Sequence, residues 1–196
     1  MPEVQNSDAF KQIKKKLGKW EGKMTQNLTG EVIDVSYEWK LTSGGNTITE
    51  TIVEDGVEML TTYSDDDGQL VVKHYCALGT QPVFKVSQAS DSIVQLTLDQ
   101  SRVNLHSEHH SFVTGMKWTT NPSNPATMTF ENTVMIDGEL TDNIAQIKRV
   151  NWLGLKLIAR KQRALNYDHT FEALNDQNNL SNRKSPNRLL ILILNK

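Results

Sequence analysis

Cysteine is nearly missing from this 196-residue sequence, which holds one, Cys76. No intrachain disulfide can form, and the thiol count gives no sign of an oxidising compartment. Proline is sparse at 5 residues, and neither a Pro-rich linker nor an internal repeat divides the chain. Long apolar runs are missing too. The longest, Leu189 to Leu194, is six residues between Arg188 and Asn195, against the ~20 that a membrane-spanning helix needs. The opening stretch, MPEVQNSDAFKQIKKKLGKW, lacks the apolar core of a secretory signal or anchor. The expectation is a cytoplasmic protein with no membrane attachment.

An excess of one charge is also lacking, since 21 Lys+Arg stand against 23 Asp+Glu for a net charge of -2. Nucleic-acid binding, which draws on clustered basic surface, is not expected of the chain as a whole. The balance is uneven along the sequence. Residues 1–145 carry 11 Lys+Arg and 20 Asp+Glu, whereas residues 146–196 carry 10 and 3. This shift divides the chain into a folded domain over 7–145 and a basic C-terminal extension over 146–196.

What is present is a short helical signal followed by strand rhythm. Ser7 is placed to cap a helix, Asp8 suits its first turn, Phe10, Ile13 and Leu17 share a face, and Gly18 can end it. Lys11, Lys14, Lys15 and Lys16 are expected on its outer side. From Trp20 onward, alternating segments are punctuated by turn residues at Ser43-Gly44-Gly45-Asn46, Asp55-Gly56, Asp65 to Gly68 and Asp137-Gly138. The clearest segment is Glu31 to Thr42, where Ile33, Val35, Tyr37, Trp39 and Leu41 alternate with polar residues. The other expected strands are Trp20 to Leu28, Thr47 to Glu54, Val57 to Tyr63, Gln69 to Cys76, Val83 to Ser87, Ser92 to Leu98, Arg102 to Leu105, Phe112 to Trp118 and Thr127 to Ile136. About ten strands predict an all-β fold, an antiparallel up-and-down barrel whose closure removes exposed edges, with a two-sheet sandwich as the structural alternative.

Among residues able to carry chemistry, His74 stands out. It alternates with Leu70, Val72 and Cys76, which turns His74 and Cys76 toward the barrel interior. There an imidazole can orient a ligand, bind a haem iron, move a proton or serve as a satisfied core residue. Tyr37, Trp39, Tyr63 and Trp118 supply aromatic surface able to line a pocket or fill a core. His106, Glu108 and His110 share one strand face with metal-ligand spacing, but they continue the polar face of Arg102 and Asn104 and are expected in solvent, so no metal site is assigned.

Two motifs carry a family likeness. The run Leu17-Gly18-Lys19-Trp20-Glu21-Gly22, between a short helix and the first strand, resembles the opening of the calycin superfamily, the lipocalins and fatty-acid-binding proteins. Thr61-Thr62-Tyr63 and His74-Tyr75-Cys76-Ala77-Leu78-Gly79-Thr80-Gln81-Pro82 are similar to a bacterial lipocalin-like group of uncharacterised proteins reading His-Tyr-Cys-x-x-Gly-Asn-Gln-Pro, with Thr80 replacing Asn. The likeness implies that Trp20 seals the barrel floor beneath the helix, and it puts His74 and the Gly79 to Pro82 loop near the mouth.

The expected function is binding of a small apolar or amphipathic molecule inside the barrel, without catalysis or a resident cofactor. Tyr37, Trp39, Tyr63, His74, Cys76, Gln81 and Trp118 are the candidate contacts. The alternatives are a haem-binding barrel resembling the nitrobindins, with His74 as iron ligand, a barrel enzyme using His74 as acid or base, and an interaction module acting through the basic tail.

Overall fold

In the computed structural model, which describes residues 6–150, the chain begins with helix α1 (Asp8–Lys14). Ser7 caps it, its hydroxyl accepting from the Phe10 N–H at 3.1 Å, and the same Ser7 donates twice at 2.6 Å to the Asp65 carboxylate. One residue thus satisfies an orphan helix donor and ties the helix to a strand turn. Ser7→Ala should lower stability by about 1 kcal/mol or somewhat more in urea unfolding. An unchanged midpoint would show that neither contact contributes.

Ten strands follow: β1 (Gly18–Gln26), β2 (Val32–Thr42), β3 (Thr47–Glu54), β4 (Val57–Asp66), β5 (Gln69–Tyr75), β6 (Val83–Ala89), β7 (Ile93–Leu98), β8 (Phe112–Thr120), β9 (Thr127–Ile136) and β10 (Glu139–Arg149). Each pairs antiparallel with its sequence neighbours, and β10 pairs with β1, closing the barrel. The period-2 alternation sends one row of each strand inward, as in β3, where Ile48, Glu50, Ile52 and Glu54 face the interior and the Thr residues between them face out. No helix among the described residues is long and apolar enough to cross a membrane.

The count of ten agrees with the sequence reading, but two of its members differ. Arg102 to Leu105, expected as a strand, lies in the loop between β7 and β8; Asp99 accepts from the Ser101 and Arg102 backbone N–H groups and folds the chain into a turn there. The missing tenth strand is β10, which the Asp137-Gly138 turn launches and which runs on to Arg149, past residue 145. Its alternation is weak because Leu140 and Ile144 are exposed while Ala145 and Ile147 are buried. The basic segment proper, from 151 onward, lies outside the described residues.

Two further expectations change. Helix α1 ends at Lys14, before Gly18, and Lys16 is buried, its Nζ 3.4 Å from the Met128 sulfur. The helix's last carbonyls, of Gln12, Ile13 and Lys14, accept from the N–H groups of Lys15, Lys16 and Leu17, and the carbonyls just beyond it have partners from the sheet. Trp20 Nε1 donates to the Lys16 carbonyl at 2.8 Å, and the Arg149 guanidinium donates to Lys15 O at 2.9 Å and to Leu17 O. Arg149 also lies 4.4 Å from the centre of the Trp20 ring, a cation–π contact. In β2, Val35, Tyr37 and Trp39 are buried as the alternation predicts, whereas Leu41, at the strand's end, is 40% exposed.

Candidate functional site

Side-chain size along the barrel axis decides where space is left. The end under α1 is filled by Phe10, Ile13, Trp20, Trp39, Tyr63 and Trp118, all at most 1% exposed. Tyr37 stacks on Trp39 with ring centres 5.8 Å apart, Trp118 stacks on Phe130 at 5.2 Å, and Tyr63 meets Trp118 edge-on at 6.3 Å. Toward the opposite end the inward positions carry smaller or unbranched side chains, among them Ile52, Met59, Cys76, Val113, Met116 and Val134. They cannot fill the same cross-section, and a cavity of about 300 Å³ remains. A bulge in β8 between Val113 and Gly115 shifts the inward row there, so that Val113 and Met116 both reach the cavity.

The wall is mostly apolar, with a few polar groups converging on it: Glu54, His74 and the Asn132–Asn143 pair. Asn143 Nδ2 donates to Asn132 Oδ1 at 2.9 Å across β9 and β10. His74 shares a 2.9 Å hydrogen bond between Nδ1 and Thr61 Oγ1, leaving Nε2 as the ring atom open to a ligand. Burial disfavours the imidazolium and lowers the His74 pKa to about 4, so the ring is neutral at physiological pH. Glu54 accepts one long hydrogen bond, 3.4 Å, from the Tyr37 hydroxyl. Its pKa is raised to about 7 by burial, which the Tyr37 hydrogen bond only partly opposes.

Beneath the cavity runs a polar row across the sheet, in which Trp39, Glu50, Thr61 and His74 are successive register partners on β2, β3, β4 and β5. Glu50 is fully buried and accepts a hydrogen bond from the Tyr63 hydroxyl. Burial raises its pKa to about 8 against the pull of Tyr63, and burial likewise lowers that of Lys16 to about 8 despite the attraction of Glu50. Glu50 Oε1, Trp39 Nε1 and Trp118 Nε1 have no hydrogen-bond partner among the described residues. Groups so costly to bury mark this row as a feature that packing alone does not explain.

Of the residues singled out from sequence, His74 and Cys76 line the cavity. Tyr37, Trp39, Tyr63 and Trp118 lie in the solid packing on the helix side and are not among the cavity's lining residues. Gln81 is exposed, on the loop after β5. That loop is fastened by Cys76 N–H to Thr80 O at 3.1 Å, His74 N–H to Pro82 O at 3.0 Å and the Thr80 hydroxyl to Ser111 O at 3.1 Å. The His106 to His110 segment is a turn, in which His106 Nε2 pairs with Asn104 Oδ1 at 2.8 Å.

Sequence reasoning missed Glu50, Glu54, Asn132 and Asn143. The signal for the first two was present: Ile48, Glu50, Ile52 and Glu54 share one parity, opposite a row of Thr47, Thr49, Thr51 and Val53. Two isoleucines on the row with the carboxylates made it the inner one. The donor set does not fit haem. One imidazole nitrogen is available, but among the described residues no Lys or Arg lines the cavity to hold the propionates, and the volume is at the low end for organic ligand sites, which run from ~300 to 1,000 Å³.

No family model matches the chain, and no curated protein does. Among solved structures, a protein of unknown function of the DUF3598 family from Nostoc punctiforme superposes with a TM-score of 0.51 at 12% identity, over 76% of this chain and 51% of that one. The chain therefore spans about half the length of that protein, and the likeness is one of fold. A second structure, EF1p2_mFAP2b bound to DFHBI, overlaps less, with a TM-score of 0.37 at 11% identity over 72% of this chain and 99% of that one. What stands is a closed, ten-stranded antiparallel barrel with one plugged end and a cavity toward the other.

Proposed function

We propose that the protein binds a small amphipathic molecule in the cavity lined by His74 and Glu54. The carrying observation is the division of the barrel into a solid aromatic half and a half with about 300 Å³ of mostly apolar space, into which a few polar groups point. An apolar body would gain burial against Ile52, Met116, Phe130 and Val134, while His74 Nε2, Glu54 and the Asn pair orient a polar head. The likeness of the His74 to Pro82 segment to a lipocalin-like group supports the same reading.

Cys76, the sole thiol, provides a reporter at the site. It lies half-buried on the cavity wall, with its pKa raised by burial. Native mass spectrometry of the purified full chain should show a small-molecule adduct that denaturation removes. Adding a cavity-sized ligand such as octanol should slow iodoacetamide modification of Cys76 at least tenfold. An adduct-free protein whose Cys76 rate ignores every apolar ligand tested would overturn the proposal.

A second reading, an acid–base enzyme, is favoured by Glu54 and His74 both lining one cavity. A neutral imidazole and a carboxyl titrating near pH 7 could accept and return a proton. Turnover of a bound ligand, reduced in both His74→Ala and Glu54→Gln by a far larger factor than binding is weakened, would establish it. Return of the adduct chemically unchanged after incubation with the protein counts against it.

A further inference from the structure

We infer that the cavity selects amphiphiles with a cationic head, such as a protonated alkylamine or amidine, over neutral or anionic ones. The inference rests on the binding reading above and narrows it to one ligand class. Its basis is the charge of the cavity wall. Glu54 contributes a carboxyl, Asp55 adds a second at the β3–β4 turn, and among the described residues no Lys or Arg lines the space.

Glu54 is also short of partners. Beyond the 3.4 Å hydrogen bond from Tyr37 it takes part in no ion pair among the described residues, although eight such pairs decorate the rest of the barrel. A carboxylate held against apolar wall gains more from a cation than one in water, because the surrounding dielectric screens less. An anionic head would meet the reverse, repulsion with nothing to neutralise it. His74, neutral through burial, adds no positive charge to the wall.

The groups that bear on Glu54 are few. Tyr37 faces it from β2, Glu50 and Asp55 stand along its own strand and turn, and His74 and Cys76 line the same cavity from β5 and the loop after it. None is a cation at neutral pH. Binding of a cation therefore draws the proton off Glu54, and affinity should rise as the pH passes through about 7, where that carboxyl ionises. Between pH 6 and pH 8 the gain is about tenfold. At pH 7 about half a proton is released per ligand bound.

The test compares octylamine, octanol and octanoate by calorimetry on the full chain, at pH 6 and pH 8, with Cys76 protection locating the site. Octylamine should bind at least tenfold tighter than the other two at pH 8, release close to one proton per ligand at pH 6 when measured in buffers of different ionisation enthalpy, and lose its advantage in Glu54→Gln. Equal or better binding of octanol or octanoate overturns the inference and leaves the binding reading intact. An amine preference that survives Glu54→Gln, or that comes without proton release at pH 6, places the selectivity elsewhere on the acidic surface and overturns it as well. Failure of all three to bind or to protect Cys76 removes the binding reading, and this inference with it.

Discussion

Glu50→Gln should abolish most of the loss of stability that the wild-type barrel suffers between pH 6.5 and 8. The folded-state pKa of Glu50 is raised to about 8 from an ordinary 4.5, chiefly by complete burial. A raised carboxyl contributes stability that is fully present below the unfolded value and is lost as the pH climbs through the folded one. Each pH unit in that interval costs up to about 1.4 kcal/mol per group. Glu54 acts in the same direction up to about pH 7. His74 acts the other way. Its folded pKa is lowered to about 4, so stability is gained as the pH rises from there to about 6.5, and it offsets one of the two carboxyls over that range.

Above pH 6.5 the histidine no longer contributes, and Glu50 dominates. Across the 1.5 units to pH 8 its share comes to at most about 2 kcal/mol. Glutamine keeps an oxygen for the Tyr63 hydroxyl and has no proton to lose. It also removes the carboxylate that favours the charged form of Lys16, so the lysine pKa falls further and the variant's stability should be flat or rising in this window. Urea unfolding at half-unit pH steps tests this. Parallel curves for the two proteins would mean that Glu50 is ionised in the fold, and the account of the buried row would fail.

The ease of reading the outward form of this barrel has a physical origin. Alternation and turn chemistry are local, so β2, β5 and β9 could be bounded from their own residues, and the inward row of Leu70, Val72, His74 and Cys76 followed from parity alone. Parity fails where it is interrupted or weak. The bulge after Val113 moves the inner row by one residue, and β10 hides its inner face behind Leu140 and Ile144, which are exposed. Val103 and Leu105 mimic a strand with two apolar residues that the loop before β8 half-buries.

The candidate site was legible only in part for a different reason. Parity says which residues point inward but not how far along the axis they sit. Trp39, Tyr63 and Trp118 are inward, as expected, yet each lies close to a turn on the α1 side and is consumed in packing. His74 lies near the end of β5, remote from the helix, and so meets open space. Counting residues from the turn at each end of a strand would have separated these two groups. The carboxylates were overlooked because charge on a strand is ordinarily a mark of the outer face, and only the shared parity of Ile48 and Ile52 argues otherwise.

Gly22→Ala is expected to be the most damaging single methyl addition in the barrel wall. A Cβ at Gly22 would stand 1.9 Å from the Gln146 carbonyl oxygen and 2.9 Å from both the Gln146 carbonyl carbon and Ile147 Cα. These are backbone atoms of β10, held in register with β1 from Trp20–Arg149 to Gln26–Asn143, and no rotamer change can relieve the clash. The two strands must part, and theirs is the pairing that turns a ten-stranded sheet into a barrel. Gly115→Ala is the control: its nearest obstacle, at 2.9 Å, is the Thr133 hydroxyl, which can rotate away. We expect Gly22→Ala to cost on the order of 3 kcal/mol in urea unfolding and Gly115→Ala clearly less. Hydrogen exchange should accelerate first at the β1 and β10 amides. The freed edges should promote association between chains, since unpaired strands are templates for pairing. A loss for Gly22→Ala no larger than the roughly 0.5 kcal/mol of an ordinary surface substitution would show that β1 and β10 part without consequence and that closure of the wall contributes little to stability.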